Sequence, residues 1–182
     1  MTNTTFSEVI DSEWGMYFLA DEWSPVGECP TDDDDDMGVS RALLTGFLGM
    51  RSPWSGTILC GTKEGPVRLT VEVHDSPVPI ENIGNVWSEV AEVAFQVRSG
   101  VVTFRRWGGE TITTLELLPP GPWRLRAHAN GRDEGHDQRS HSALIGEPLE
   151  EHLIQFWPGP DYGNLVLTRD RFGASLRGEL TQ

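Results

Sequence analysis

Several sets of side chains in this chain could do chemistry if the fold brought them together. Asp32, Asp33, Asp34, Asp35 and Asp36 are five consecutive carboxylates, a pattern that attracts divalent cations. An EF-hand calcium loop needs oxygen ligands at alternate positions, glycine at the sixth and glutamate at the twelfth. Counted from Asp32, those two positions hold Met37 and Leu43; counted from Asp33, they hold Gly38 and Leu44. Neither register supplies the closing glutamate, so the run predicts loose cation attraction rather than a built calcium site. A second set, His128, Asp133, His136, Asp137 and His141, falls within 14 residues. Imidazole and carboxylate suit zinc or a metal-activated water, so a metal-dependent or small-molecule enzyme using residues 128–141 is one reading. The tighter signatures of zinc sites, HExxH or paired CxxC, do not occur. The two cysteines, Cys29 and Cys60, lie 31 residues apart and form no metal or redox pair.

Nucleophilic and phosphate chemistry find less. No Gly-x-Ser-x-Gly elbow presents a serine, Glu110 and Glu116 have nothing to fix their separation, and Gly108-Gly109 lacks the lysine of a phosphate-binding loop. Arg132-Asp-Glu-Gly-His136 contains the residue types of the Asp-Arg-Gly-His motif of ββα-metal nucleases in scrambled order. That order matters, because the motif's histidine must be the base beside a metal ligand. Arg124, Arg126 and His128 alternate and therefore share one strand face. An exposed face balanced by Glu72, Glu92 or Glu116 is the simpler expectation; an anion-binding surface is the other. The sequence thus predicts no catalytic residues, no metal and no cofactor.

Charge gives a stronger signal. The 182 residues carry 28 Asp and Glu against 14 Lys and Arg, a net of −14. Residues 1–40 hold 11 of the acids and no base; the other 142 residues are nearly balanced at −3. Nucleic-acid binding needs clustered Lys and Arg to neutralise phosphates, so direct contact with nucleic acid is not expected. No run approaches the roughly 20 apolar residues of a membrane span, and the start lacks a signal sequence. The reading is a cytoplasmic protein with reduced thiols. A dense acidic segment can raise the rate of meeting a basic partner by roughly 10–10³ at low salt. Trp23 and Trp54 fall in predicted loops, where exposed aromatics serve as interface anchors. Around Trp23 lie Asp21, Glu22 and Glu28, followed by Asp32, Asp33, Asp34, Asp35 and Asp36. These eight carboxylates and two indoles are the candidate partner-binding site.

The elements that must position them are strands. Twenty Gly and twelve Pro punctuate the chain at short intervals, as in all-β domains. Glu13–Ala20 reads as a first strand, 21–37 as an acidic loop, and Val39–Met50 fits a helical face or a buried strand equally. Period-two alternation marks strands at Val67–Val73, Ala91–Val97 and Trp123–Ala127. Ser99-Gly100 predicts a hairpin into Val101–Trp107, and Gly108-Gly109 another into Thr111–Leu118. Trp87, Trp107, Trp123 and Trp157 sit at strand ends and are assigned to the core. Residues 130–149 read as a polar loop, and Glu151–Trp157 and Leu165–Leu167 as late strands. The expected architecture is all-β: one antiparallel β-sandwich over residues 1–182 with at most one short helix.

From Tyr17 to about Asn130 the strand pattern resembles that of the ComJ-like inhibitors of competence-associated DNA-entry nucleases. The parallels are Tyr17-Phe-Leu-Ala-Asp21 with Ser24-Pro25 after it, the Val67–Asp75 strand, Trp87–Val97, and Leu117-Leu-Pro-Pro-Gly-Pro-Trp-Arg-Leu125. The poly-Asp run and the residues after Asn130 depart from that pattern. The resemblance implies a small acidic protein that neutralises a nuclease, and it transfers no residue roles. Combined with the charge, it favours a non-catalytic inhibitor or immunity-type factor whose partner is a basic nuclease or toxin. A structural or scaffold subunit is the remaining alternative.

Overall fold

A computed structural model describes residues 2–23, 39–79, 86–117, 119–137 and 147–179. Glu28, Asp32, Asp33, Asp34, Asp35, Asp36 and His141 lie outside them. The strands are β1 (Thr2–Ser12), β2 (Met16–Asp21), β3 (Leu48–Ser52), β4 (Ser55–Leu59), β5 (Gly65–His74), β6 (Glu89–Val97), β7 (Val101–Arg105), β8 (Thr111–Glu116), β9 (Gly121–Asn130), β10 (Glu150–Pro158) and β11 (Leu165–Thr168). They form two open sheets, ordered β1-β5-β10-β9-β6-β11 and β3-β4-β2-β7-β8. The fold is all-β.

Alternation builds the core. Val67, Leu69 and Val71 of β5, Val93, Phe95 and Val97 of β6, and Trp123, Leu125 and Ala127 of β9 point inward from the six-stranded sheet. They meet Tyr17, Leu19, Ile58, Val102 and Phe104 of the five-stranded sheet. Phe104 packs edge-on against Phe156 of β10 across the gap, so one apolar cluster joins both layers.

The structure corrects the sequence reading at several points. Three short helices occur among the described residues, not one: α1 (Val39–Thr45), α2 (Arg132–Asp137) and α3 (Arg171–Leu176). The Val39–Met50 ambiguity resolves into both answers, because α1 is followed directly by β3. The 130–149 segment is not all loop, since Asn130 ends β9 and α2 follows. The six-stranded sheet is mixed, with β10 running parallel to β5 and antiparallel to β9. Ser99-Gly100 is not a hairpin: β6 and β7 belong to different sheets, and the turn carries the chain across the sandwich. A second crossover joins β1 to β2 through Trp14 and Gly15, both at positive φ. Trp107 is 46% exposed rather than in the core, stacking near Phe18. Gly108-Gly109 does close the β7–β8 hairpin.

Candidate functional site

Four of the predicted partner-binding residues converge where β2 ends. Asp21 is its last residue and is 1% exposed. Its carboxylate accepts backbone N–H groups from Trp23 at 2.9 Å, Arg98 at 2.9 Å and Ser99 at 3.0 Å. The sequence places Asp21 on the contact surface; burial gives it instead the task of holding the β6–β7 crossover against the end of β2. Glu22 and Trp23 emerge from that anchor and are exposed. Glu22 donates its N–H to Val101 O at 2.9 Å and accepts from Thr103 Oγ1 at 3.1 Å.

Trp23 is 52% exposed yet well held. The Arg98 guanidinium carbon lies 4.4 Å from its ring centroid and 4.2 Å from that of Trp54. The two indoles meet edge to face with centroids 6.2 Å apart. Each cation–π contact at such a half-exposed site contributes about 0.5–1 kcal/mol, which fixes the indole orientation before any partner arrives. Trp54 is only half-buried, and its carbonyl accepts Asp21 N–H at 2.9 Å. The structure therefore brings Glu22, Trp23 and Trp54 together on a rigid root. The other six predicted site residues, Glu28, Asp32, Asp33, Asp34, Asp35 and Asp36, follow that root in sequence and fall outside the described residues.

The Arg124, Arg126, His128 row does share one face of β9, but that face is not exposed. The three side chains are 0%, 2% and 3% exposed. Glu92 on neighbouring β6 bridges both arginines at 2.8–2.9 Å. Arg124 also stacks on the Tyr162 ring at 3.8 Å and donates to Gly163 O, so the 159–164 segment lies over the pair. Burial opposes ionisation of Glu92, but the Tyr162 hydroxyl and the two guanidiniums outweigh it and hold the carboxyl below its usual range. His128 bonds Gln155 at 3.0 Å and its ring packs at a tilt against Trp87. Burial lowers its pKa to about 4, so it is a neutral ring at neutral pH.

The 128–141 set does not assemble into a metal or catalytic site among the described residues. Asp133 accepts from the backbone N–H of Phe172 at 2.6 Å, at the start of α3. Asp137 pairs with Arg171, and His136 lies 4.5 Å from the Phe172 ring, while His128 is occupied on the sheet face. Glu110 and Glu116 flank opposite ends of β8, about 20 Å apart at strand rise, too far for an acid–base pair.

Sequence reasoning missed two buried clusters at the α1 end of the sandwich. In the first, Arg132 pairs with Asp170 at 3.2 Å and Arg177 with Glu89 at 3.0 Å. These guanidiniums also donate to Gly46 O and Thr45 O, carbonyls that the C-terminus of α1 leaves without helical partners. In the second, Glu150 accepts Gly61 N–H at 3.0 Å, Thr62 N–H at 2.8 Å and His152 Nε2 at 2.8 Å. His152 Nδ1 lies 2.9 Å from the Tyr17 hydroxyl. Cys60 is a buried free thiol beside them, and burial with the nearby Glu150 charge pushes its pKa well up. Burial works against the Glu150 charge too, yet the bond and charge of His152, with Arg132 and the Thr62 N–H, keep its carboxyl low. The only local hint in the sequence is Glu150-x-His152, two polar residues at the inward positions of a strand.

No protein-family model matches the chain, and no curated protein matches its sequence. Two solved structures do match its shape. ComJ of Bacillus subtilis, inhibitor of the DNA degrading activity of NucA, superposes with a TM-score of 0.56 over 87% of this chain and 99% of its own, at 10% identity. This chain is similar in fold to ComJ. The protein of crocagin biosynthetic gene J superposes with a TM-score of 0.57 over 88% of this chain and 99% of its own, at 14% identity. The ComJ likeness thus reaches well past the Tyr17–Asn130 span of the sequence pattern. At these identities it concerns the fold.

Proposed function

We propose that this chain is a non-catalytic binding protein that inhibits a basic protein partner, a nuclease or toxin. The observation that carries this reading is Trp23: a half-exposed indole, clamped by Arg98 and Trp54, at the root of a segment rich in carboxylates. Such a residue suits an interface anchor, since it adds large apolar burial with little ordering cost. The six acids Glu28, Asp32, Asp33, Asp34, Asp35 and Asp36 follow it with no intervening base. They would meet the surface that a nuclease presents to phosphates. The role of ComJ as an inhibitor of a DNA-degrading activity supports the same reading. So does a free, buried Cys60 thiol, which suits a reducing cytoplasm. No helix among the described residues is long and apolar enough to cross a membrane.

The test begins with affinity capture from the native host and continues with the captured partner purified. The partner is expected to be basic, and its nuclease or toxin activity should fall when this chain is added in equimolar amount. Trp23→Ala should speed dissociation, and replacing Asp32–Asp36 with serine should slow association at low salt. A partner that is acidic, or one whose activity and binding ignore both variants, would overturn the reading.

A further inference from the structure

The buried residues between the two sheets suggest a function separate from partner binding. Cys60, Glu150 and His152 each present one donor atom, and the three donors lie within 4.8 Å of one another. All three side chains are buried, at 2%, 0% and 1% exposure. The sheets contribute unequally: Cys60 follows β4 of the five-stranded sheet, and Glu150 and His152 lie on β10 of the six-stranded sheet. We propose that these residues form a structural site for a borderline-soft divalent ion of the zinc class, which ties one sheet to the other.

The donor set fits that ion. Thiolate, imidazole and carboxylate are its ordinary ligands, with bonds of about 2.0–2.3 Å that place tetrahedral donors about 3.3–3.8 Å apart. The present spread closes to that range with movements of about 1 Å. Charge also balances: one thiolate and one carboxylate neutralise a divalent cation, which matters where no water shares the charge. Binding exchanges protons for metal. The Cys60 thiol proton passes to solvent, the His152 ring proton moves from Nε2 to Nδ1, and the Nε2–Glu150 hydrogen bond gives way to two metal bonds.

The surrounding groups already hold the ligands as a metal site requires. In the metal-free chain His152 Nε2–H donates to Glu150 and the Tyr17 hydroxyl donates to Nδ1; with the ring proton on Nδ1 the same Tyr17 contact becomes the outer hydrogen bond that fixes the tautomer of a ligating imidazole. The N–H groups of Gly61 and Thr62 fix the carboxylate in the same way. Ser12 Oγ is buried beside the Cys60 thiol, so a fourth oxygen lies next to the trio.

The probe is cobalt(II) in place of zinc, added during refolding because the site is closed in the folded chain. Proteins carry Cys29→Ser so that Cys60 is the one thiol, and any histidine tag is removed. The expected result is one equivalent of cobalt per chain with a near-ultraviolet thiolate–cobalt band, displaced by zinc. Cys60→Ser should abolish the band while circular dichroism shows the fold retained, and zinc should raise the melting temperature only when Cys60 is present. If Cys60→Ser does not fold, the band in the Cys29→Ser protein still decides the matter. Cobalt that binds without a thiolate band, as loose attraction to Asp32–Asp36 would give, overturns the site. So does the absence of bound metal after refolding.

Discussion

Two buried ionisable residues set opposing demands on pH. His128 has its pKa lowered from 6.5 to about 4 by burial, so between those values the unfolded chain binds the extra proton. Its contribution is therefore complete above pH 6.5 and is lost as pH falls toward 4. Glu89 has its pKa raised from 4.5 to about 7. Burial is the largest cause, exceeding the help it receives from Arg132, the Asp170 N–H and Arg177. Here the folded state keeps the proton longer, so stability falls as pH rises from 4.5 to 7. The two slopes oppose each other between 4.5 and 6.5, and the melting temperature of the parent should change little there. His128→Gln should uncover the Glu89 slope, with a melting temperature that climbs as pH drops from 7 to 5. Glu89→Gln should uncover the reverse. If His128 titrates near its ordinary 6.5 by NMR, its burial is not as described. Neither group announces itself in the sequence: alternation puts His128 on an open face, and Trp87 against its ring, with Val78 and Tyr162 over the neighbouring Arg126 and Arg124, covers that face.

At the level of elements, turns and connections carry more of the specification than strand patterns do. Asp21 illustrates it, with three backbone N–H groups gathered on one carboxylate. Hydrogen bonds to charged groups are worth about 1.5–3 kcal/mol each, but their contributions overlap. Asp21→Ala should therefore lower the unfolding free energy by about 3 kcal/mol in urea titration, and Asp21→Asn by less. It should also loosen Trp23, seen as a change in tryptophan fluorescence. Gly61 is a second such point. A Cβ there would meet the Arg132 carbonyl oxygen at 1.9 Å, so Gly61→Ala must push α2 away from the sandwich. A loss of about 2–4 kcal/mol, typical of forced overpacking at a site with no room, is expected in the same titration. The period-two strands are legible because a half-buried strand writes its own register in alternating residue types. The crossovers are not, since Ser99-Gly100 suits a hairpin equally well. What diverts it is a carboxylate 78 residues earlier, and no local pattern contains that information.

For the whole molecule, charge and fold answer different questions. The imbalance concentrated in residues 1–40 is plain from composition, and the residues that flank its root, Glu22, Trp23 and Trp54, lie together in space. The buried cluster of Tyr17, Cys60, Glu150 and His152 is not legible, because its members are spread over more than 130 residues and only folding brings them together. The binding proposal makes a prediction at this scale. Association with the captured partner should slow steeply as salt rises, because the field of the acidic segment reaches only about 8 Å at physiological ionic strength. Stopped-flow rates at a series of salt concentrations test it; a rate that does not respond to salt would leave the acidic segment a solubility device.

The parallel pairing of β10 with β5 carries a consequence for synthesis. Glu150 registers with Val67 and Phe156 with Val73, so β5 leaves the ribosome long before the neighbour that covers its second edge. β9, which also borders β10, must wait as well. During that interval Val67, Leu69 and Val71 sit on a strand with one open edge, a template for pairing with other chains. Nascent chains stalled before residue 150 should depend on chaperones for solubility, and chains released after residue 158 should not.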